Sequence, residues 1–170
     1  MVRKSFAAAA LVFLAFAGFL YFNNDVGTPR SGIERDARAS QKTADWLVEM
    51  DISDTMAALI FYPEDESDPV FSVYVNRPGL SFGYFFRGGG HSSLIERSVA
   101  EYTVEGFDER AFLSMNAPKA ARLEIDDGNG VQVIEIDSGK PFAMVLPRNA
   151  GRLTFYDANG AIVETHRASL

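Results

Sequence analysis

The residue types with the clearest chemical potential lie between residues 81 and 93, where the sequence reads SFGYFFRGGGHSS. Adjacent residues of a strand point to opposite faces, so one aromatic face can join a core while the other meets a ligand or a partner. The predicted contact residues for a ligand or partner are Tyr84, Phe85, Arg87 and His91. The plainer interpretation is a strand buried on both faces, followed by a flexible glycine loop.

A hydrolase is an alternative hypothesis for the same stretch, because His91 precedes two serines. A histidine beside a hydroxyl can act as the base that activates a nucleophile, so a membrane-tethered hydrolase would use His91 with Ser92 or Ser93. The surrounding motifs are incomplete: the nucleophile-elbow pattern lacks its final glycine, and the dinucleotide-loop pattern lacks its third. No catalytic residue is therefore assigned.

Neither a metal nor a cofactor is predicted. The chain has no cysteine and only two histidines, His91 and His166, which is fewer ligands than zinc normally requires. Two Asp-x-Asn sequences, at residues 127–129 and 157–159, begin like calcium loops. The third ligand position holds valine in one and alanine in the other, so the calcium pattern fails in both.

Charge divides the chain into two parts. Arg3 and Lys4 precede an uncharged stretch at residues 6–22, and the remainder has 14 basic and 23 acidic residues, a net charge of −9. Nucleic acid is excluded as a predicted partner, because its phosphates repel a domain of this charge.

The uncharged stretch reads FAAAALVFLAFAGFLYF. Together with Ser5 it forms a segment that spans roughly 27 Å as a helix, close to the ~30 Å thickness of the hydrocarbon layer. A helix is expected because lipid offers no partner for an unpaired backbone. Residues 5–22 are therefore predicted to be a transmembrane helix and signal anchor, with the lipid bilayer as their partner.

The cationic residues Arg3 and Lys4 also predict the orientation, since positive charge beside a span favours the cytoplasmic side. Residues 1–4 are then a cytoplasmic tail. Residues 23–42 form a stalk or linker, and residues 43–170 form an extracytoplasmic domain.

A cleaved signal peptide is the alternative for the N-terminal segment. Ala15-Phe16-Ala17 fits the small-x-small pattern that precedes a cleavage site. Cleavage after Ala17 would release a soluble secreted or periplasmic protein.

Residues 23–42 are mostly polar and contain the capping-box pattern Ser31-x-x-Glu34. This pattern predicts a short helix from Gly32 to about Lys42, although the segment lacks a proper apolar face. A disordered linker is the other interpretation that the composition allows.

The remaining residues, 43–170, show alternating or β-branched runs separated by turn signals, and the predicted strands include Met56–Tyr62, Val70–Asn76 and Leu80–Arg87. Two pairs of runs flank Asp-Gly-Asn-Gly at 127–130 and Asp-Ala-Asn-Gly at 157–160, and Asn-Gly between such runs is a strong hairpin signal. A capping-box pattern at residues 93–96 predicts one or two helical turns before the strand at Val99. The predicted fold class is mainly β, an antiparallel β-sandwich with immunoglobulin-like architecture.

Taken together, these features predict a single-pass, membrane-anchored protein whose β-domain binds, assembles or regulates something outside the cytoplasm. A neighbouring membrane or envelope protein is the expected partner. The hydrolase and the cleaved, soluble form are the alternatives.

Overall fold

Strands dominate the chain after residue 46, so the prediction of a mainly β fold is confirmed. The computed structural model describes residues 10–19, 25–77 and 82–170. Besides the helical residues 10–19, this part of the chain contains a 3-10 turn and two short helices. These are the turn Arg30–Gly32, α1 (Ile33–Gln41) and α2 (Ser93–Arg97).

The described residues form twelve strands, and those predicted at Met56–Tyr62 and Val70–Asn76 have the predicted bounds. The strands are β1 (Leu47–Ile52), β2 (Met56–Tyr62), β3 (Val70–Asn76), β4 (Tyr84–His91), β5 (Val99–Thr103), β6 (Glu109–Ser114), β7 (Ala120–Asp126), β8 (Val131–Glu135), β9 (Phe142–Pro147), β10 (Arg152–Asp157), β11 (Ile162–Val163) and β12 (Thr165–Ser169).

The glycines at 88–90, predicted to be a flexible loop, are part of β4. The physical reason is close packing: a Cβ on Gly89 would collide with the carbonyl oxygen of Phe71 and with the Gln41 side chain. Glycine in a strand often marks such a close approach of neighbouring backbone. The predicted start of this strand, residues 80–81, lies outside the described residues.

Three four-stranded sheets are formed by these strands. The first sheet has the order β1-β2-β3-β4, the middle sheet β12-β5-β6-β9 and the third sheet β11-β10-β7-β8. The middle sheet packs between the other two, because β5 and β6 carry buried residues on both faces. The structure thus has three sheets, one more than the two of the predicted immunoglobulin-like sandwich.

One strand pair also departs from the expected antiparallel pattern: β12 runs parallel to β5. The chain enters β12 directly from β11, in the direction that β5 already runs. Glu101 on β5, 6% exposed, pairs with Arg110 on β6 and with Arg167 on β12, each at 3.2 Å. The buried carboxylate therefore connects three neighbouring strands of the middle sheet.

Both predicted hairpins are confirmed, since β7 pairs with β8 and β10 with β11. The turn chemistry comes from the aspartates: Asp127 and Asp157 each accept two backbone N–H groups through Oδ1, at 2.8 to 3.0 Å. These bonds hold the pKa of both carboxyl groups below the usual value. The positive φ that each turn needs is supplied by Gly128 and Gly160.

The N-terminal part has two structural portions. Residues 10–19 are helical, and the predicted span at 5–22 extends beyond the described residues at both ends. Among the described helices, none combines the length and apolar character needed to cross a membrane. Residues 25–42, interpreted from the sequence as a stalk or linker, lie against the first sheet, and the expected short helix is present as α1.

Candidate functional site

A groove of about 700 Å³ lies between α1, the start of β4 and the extended segment at residues 25–29. It is called the α1–β4 groove below. Its main wall residues are Val26, Arg35, Asp36, Tyr74, Phe85 and Phe86. The groove therefore combines an aromatic surface with one cationic and one anionic side chain.

The wall contributed by α1 is held in place by apolar burial and by one arginine. Ile33 and Ala37 are fully buried against the outer face of the first sheet. Arg38 donates from Nε to Glu34 Oε1 at 2.8 Å and from Nη1 to the Thr43 carbonyl at 2.9 Å. Because the helix is fixed both along its face and at its end, it forms a stable side of the groove.

The segment at 25–29 extends the first sheet beside the start of β4. Thr28 and Tyr84 exchange two backbone hydrogen bonds of 2.8 Å, and the Gly27 N–H donates to the Phe82 carbonyl at 2.6 Å. A Cβ on Gly27 would lie 2.6 Å from the Tyr84 carbonyl oxygen, so this close approach requires glycine. The edge of β4 is thereby occupied by the chain's own N-terminal segment.

The base of the groove contains a hydrogen-bonded pair. The Tyr74 hydroxyl donates to Asp36 Oδ2 at 2.8 Å. The pKa of Tyr74 is raised, mainly by burial and secondly by the interaction with Asp36. The Phe86 ring meets Tyr74 edge-on, with 5.5 Å between the ring centroids. The exposed Phe86 ring thus lies beside a hydrogen-bonded carboxylate, which suits a ligand that has both apolar and polar groups.

Two of the four predicted contact residues belong to this groove. Tyr84 is only 5% exposed and its hydroxyl donates to the Ser53 carbonyl, while burial raises its pKa. Phe85 is half-buried, and the Arg77 guanidinium lies 4.1 Å from the centre of its ring. Tyr84 therefore supports the groove, whereas Phe85 offers part of its ring to a ligand.

The other two predicted contact residues lie outside the groove lining. Arg87 is exposed farther along β4, and His91 ends the strand opposite Val70. The structure thus divides the predicted site between two places on one strand. A contact role for each of the four residues stays a prediction.

The Ser92 hydroxyl next to His91 is engaged elsewhere. Ser92 Oγ accepts the Tyr102 hydroxyl at 3.0 Å, and Ser93 is the first residue of α2. His91 Nε2 lies 3.5 Å from Glu96 Oε1, and among the hydrogen bonds of the described residues none joins His91 to either serine. The pairing that a base-activated serine needs is therefore not formed here.

A possible ligand set for a cation lies at the same end of β4. Ligand atoms of Asp68, His91 and Glu96 all come within 4.8 Å of one another. One imidazole and two carboxylates are ligands that a divalent ion such as zinc accepts. Asp68 and His91 are exposed, and groups of exposed acidic residues are common in proteins without a bound ion. The predicted lack of a metal stays a prediction.

Sequence reasoning missed Arg35, Asp36 and Tyr74 as groove residues. The one local signal was the capping-box helix that carries Arg35 and Asp36, and nothing in it indicates which strand lies beneath. No protein-family model, curated protein or solved structure matches this chain. The function is therefore inferred from the groove and from the N-terminal segment.

Proposed function

We propose that this chain is a single-pass membrane protein whose β-domain acts outside the cytoplasm as a binding, assembly or regulatory module. Residues 1–4 lie in the cytoplasm and residues 5–22 cross the bilayer. The α1–β4 groove binds a neighbouring membrane or envelope protein. The module uses no cofactor and does not bind nucleic acid.

The observation that carries this proposal is an apolar helical surface that the domain leaves uncovered. Six large apolar side chains within residues 10–19 are 44% to 70% exposed, namely Leu11, Val12, Phe13, Leu14, Phe16 and Phe19. A helix that is apolar on all sides is normally removed from water by lipid or by other protein. Lipid is the simpler cover, because the uncharged sequence continues on both sides of this helix.

Alkaline carbonate extraction of membranes tests the anchor. We expect the full-length protein to stay in the membrane pellet, since an integral helix resists extraction. Its complete release into the supernatant would contradict the anchor. N-terminal sequencing of the mature chain then separates the cleaved form, which would begin at Gly18.

The absence of cysteine allows a direct test of orientation. In intact cells, Ile162→Cys on the exposed surface of the third sheet should react with a membrane-impermeant maleimide. Val2→Cys should react only after the membrane is permeabilised. The reverse pattern of labelling would place the β-domain in the cytoplasm and would refute this orientation.

A photo-crosslinking amino acid tests whether the groove binds a protein. Placed at Phe86, which is 48% exposed, it should capture a discrete membrane or envelope partner. The matched control is the same amino acid at Ile162, 68% exposed on the third sheet. Equal capture at both positions would contradict a specific groove. Phe85→Ala should lower the yield at Phe86 while leaving the circular dichroism spectrum unchanged.

A further inference from the structure

The groove has an apolar rim that the domain itself leaves exposed. Val26, Phe82 and Phe86 are 56%, 55% and 48% exposed, and the term apolar rim refers to these three residues below. Val26 and Phe82 are bridged across the paired backbones, and Val26 and Phe86 line the same groove. Two phenylalanines and a valine exposed at one place favour a surface that contacts something apolar.

The length of the chain limits how far this rim can lie from the predicted span. Val26 follows the end of the span, Phe22, by four residues, which reach at most about 14 Å when fully extended. The headgroup layer on each side of a bilayer is roughly 5–8 Å thick. The Phe82 N–H donates to the Asp25 carbonyl at 2.8 Å. Phe82, just before β4, is therefore held at a similarly short distance from the predicted span. The rim therefore lies inside or directly beside the headgroup layer if residues 5–22 cross the bilayer.

The groove end of the first sheet carries charges of both signs. At the groove end, Arg35 lines the wall and the Arg77 guanidinium lies on the Phe85 ring. Guanidinium groups bind phosphate readily, and aromatic residues are enriched at membrane interfaces.

At the other end of β3, the acidic loop at residues 64–68 precedes Val70, whereas Asn76 pairs with Tyr84 beside the groove. Seven strand residues separate these ends by roughly 20 Å. The four carboxylates of this loop can thus point away from anionic lipid, whereas Asp25, Asp36 and Asp54 lie at the groove end.

We propose that the apolar rim rests in the headgroup layer of the bilayer that holds the anchor. The α1–β4 groove then opens along the membrane surface, and the acidic loop points away from it. This inference rests on the proposed anchor, and it adds that a second surface of the domain contacts lipid. The groove's protein partner must accordingly reach it within the plane of the membrane.

Spin-label depth measurements test the proposal, because a chain without cysteine accepts single labels. Full-length Phe82→Cys and Phe86→Cys proteins carry a nitroxide in vesicles of equimolar phosphatidylcholine and phosphatidylglycerol. We expect both labels to show a higher ratio of oxygen collisions to collisions with a water-soluble nickel reagent than a label in water shows. Matched labels at Ser67 in the acidic loop and at Ile162 on the third sheet should show the lower ratio of a label in water.

A label at Leu14 within the predicted span separates the two possible failures. A lipid-buried label at Leu14 with water-exposed labels at Phe82 and Phe86 would overturn the apolar rim and leave the anchor intact. A water-exposed label at Leu14 would overturn both. Replacing Phe86 removes its edge-on contact with Tyr74 and could disturb that residue. In that case the Phe82→Cys label alone tests the position of the apolar rim, because Phe82 is exposed and has no such ring contact among the described residues.

Discussion

The outer face of the first sheet is covered by a helix, whereas the outer face of the third sheet is exposed to solvent. On the first sheet, Ala57, Leu59 and Phe61 point outward and are fully buried, because α1 covers them. On the third sheet, Val131 and Ile162 are 57% and 68% exposed. The first sheet therefore depends on the N-terminal segment for its cover, whereas the third sheet does not.

Sequence pattern accounts for this difference. All seven residues of β2 are buried, so the strand needs a layer on each side. The third sheet instead alternates, and its outer face carries a salt bridge between Arg122 and Glu124 at 3.0 Å. Residues 25–42 thus belong to the domain in a structural sense, and they also bring it close to the predicted membrane span.

The largest expected effect comes from removing the cover of the first sheet. Ile33→Ala deletes a fully buried side chain of α1 and should lower the free energy of unfolding by about 2–4 kcal/mol. Ile162→Ala on the third sheet should change it by less than about 0.5 kcal/mol. Urea unfolding of the full-length protein in detergent measures both. Similar values for the two variants would contradict the packing of α1.

A smaller effect is expected where residues 25–29 approach β4. Gly27→Ala places a Cβ 2.6 Å from the Tyr84 carbonyl oxygen and should reduce the free energy of unfolding by about 1–3 kcal/mol. Gly130→Ala is the matched control, because its Cβ would have no neighbour within 4 Å. The difference between their unfolding midpoints checks the prediction, and an unaffected Gly27→Ala protein would mean that the segment is detached.

The next largest effect is expected at high pH, where the tyrosines of the first sheet should lower the free energy of unfolding. Burial raises the pKa of Tyr62, Tyr74 and Tyr84, so the folded protein keeps these protons where the unfolded chain loses them. The free energy of unfolding must then fall as pH rises above about 10. Tyr74→Phe should make this decline shallower, as measured by urea unfolding from pH 8 to 11. An unchanged slope would contradict the buried phenol.

Low pH should act, more weakly, on the hairpin turns of the third sheet. Backbone N–H groups, that of Ala161 first, hold the pKa of Asp157 below its ordinary value of 3.8. Stability from this carboxylate is present above that value and is lost as pH falls through the lower, folded pKa. NMR titration of the side-chain carboxyl should give a midpoint below 3.8. A midpoint at or above that value would mean that the turn bonds do not form.

The sequence predicted the local elements well. Apolar and β-branched runs located β2 and β3, and the Asn-Gly signals located both hairpins. These features depend on residues that are close along the chain. The same is true of α1, whose capping-box pattern predicted a helix of nearly the observed length.

The α1–β4 groove could not be predicted because distant residues build it. Tyr74 and Asp36 are 38 positions apart, and Val26 lies beside Phe82 only after the first sheet has formed. The parallel pairing of β12 with β5 is likewise a long-range event that no local pattern encodes. Local rules therefore predicted the strands, while the site and the order of the sheets depended on tertiary packing.

The path of the chain through the sheets also has a consequence for folding. The first sheet is continuous from residue 47 to 91, but the chain passes repeatedly between the other two: β7 and β8 separate β6 from β9, and β10 and β11 separate β9 from β12. Neither of those two sheets can be completed without the other. They should therefore open as one cooperative unit in hydrogen exchange, whereas the first sheet, built from neighbouring hairpins, can open and close by itself.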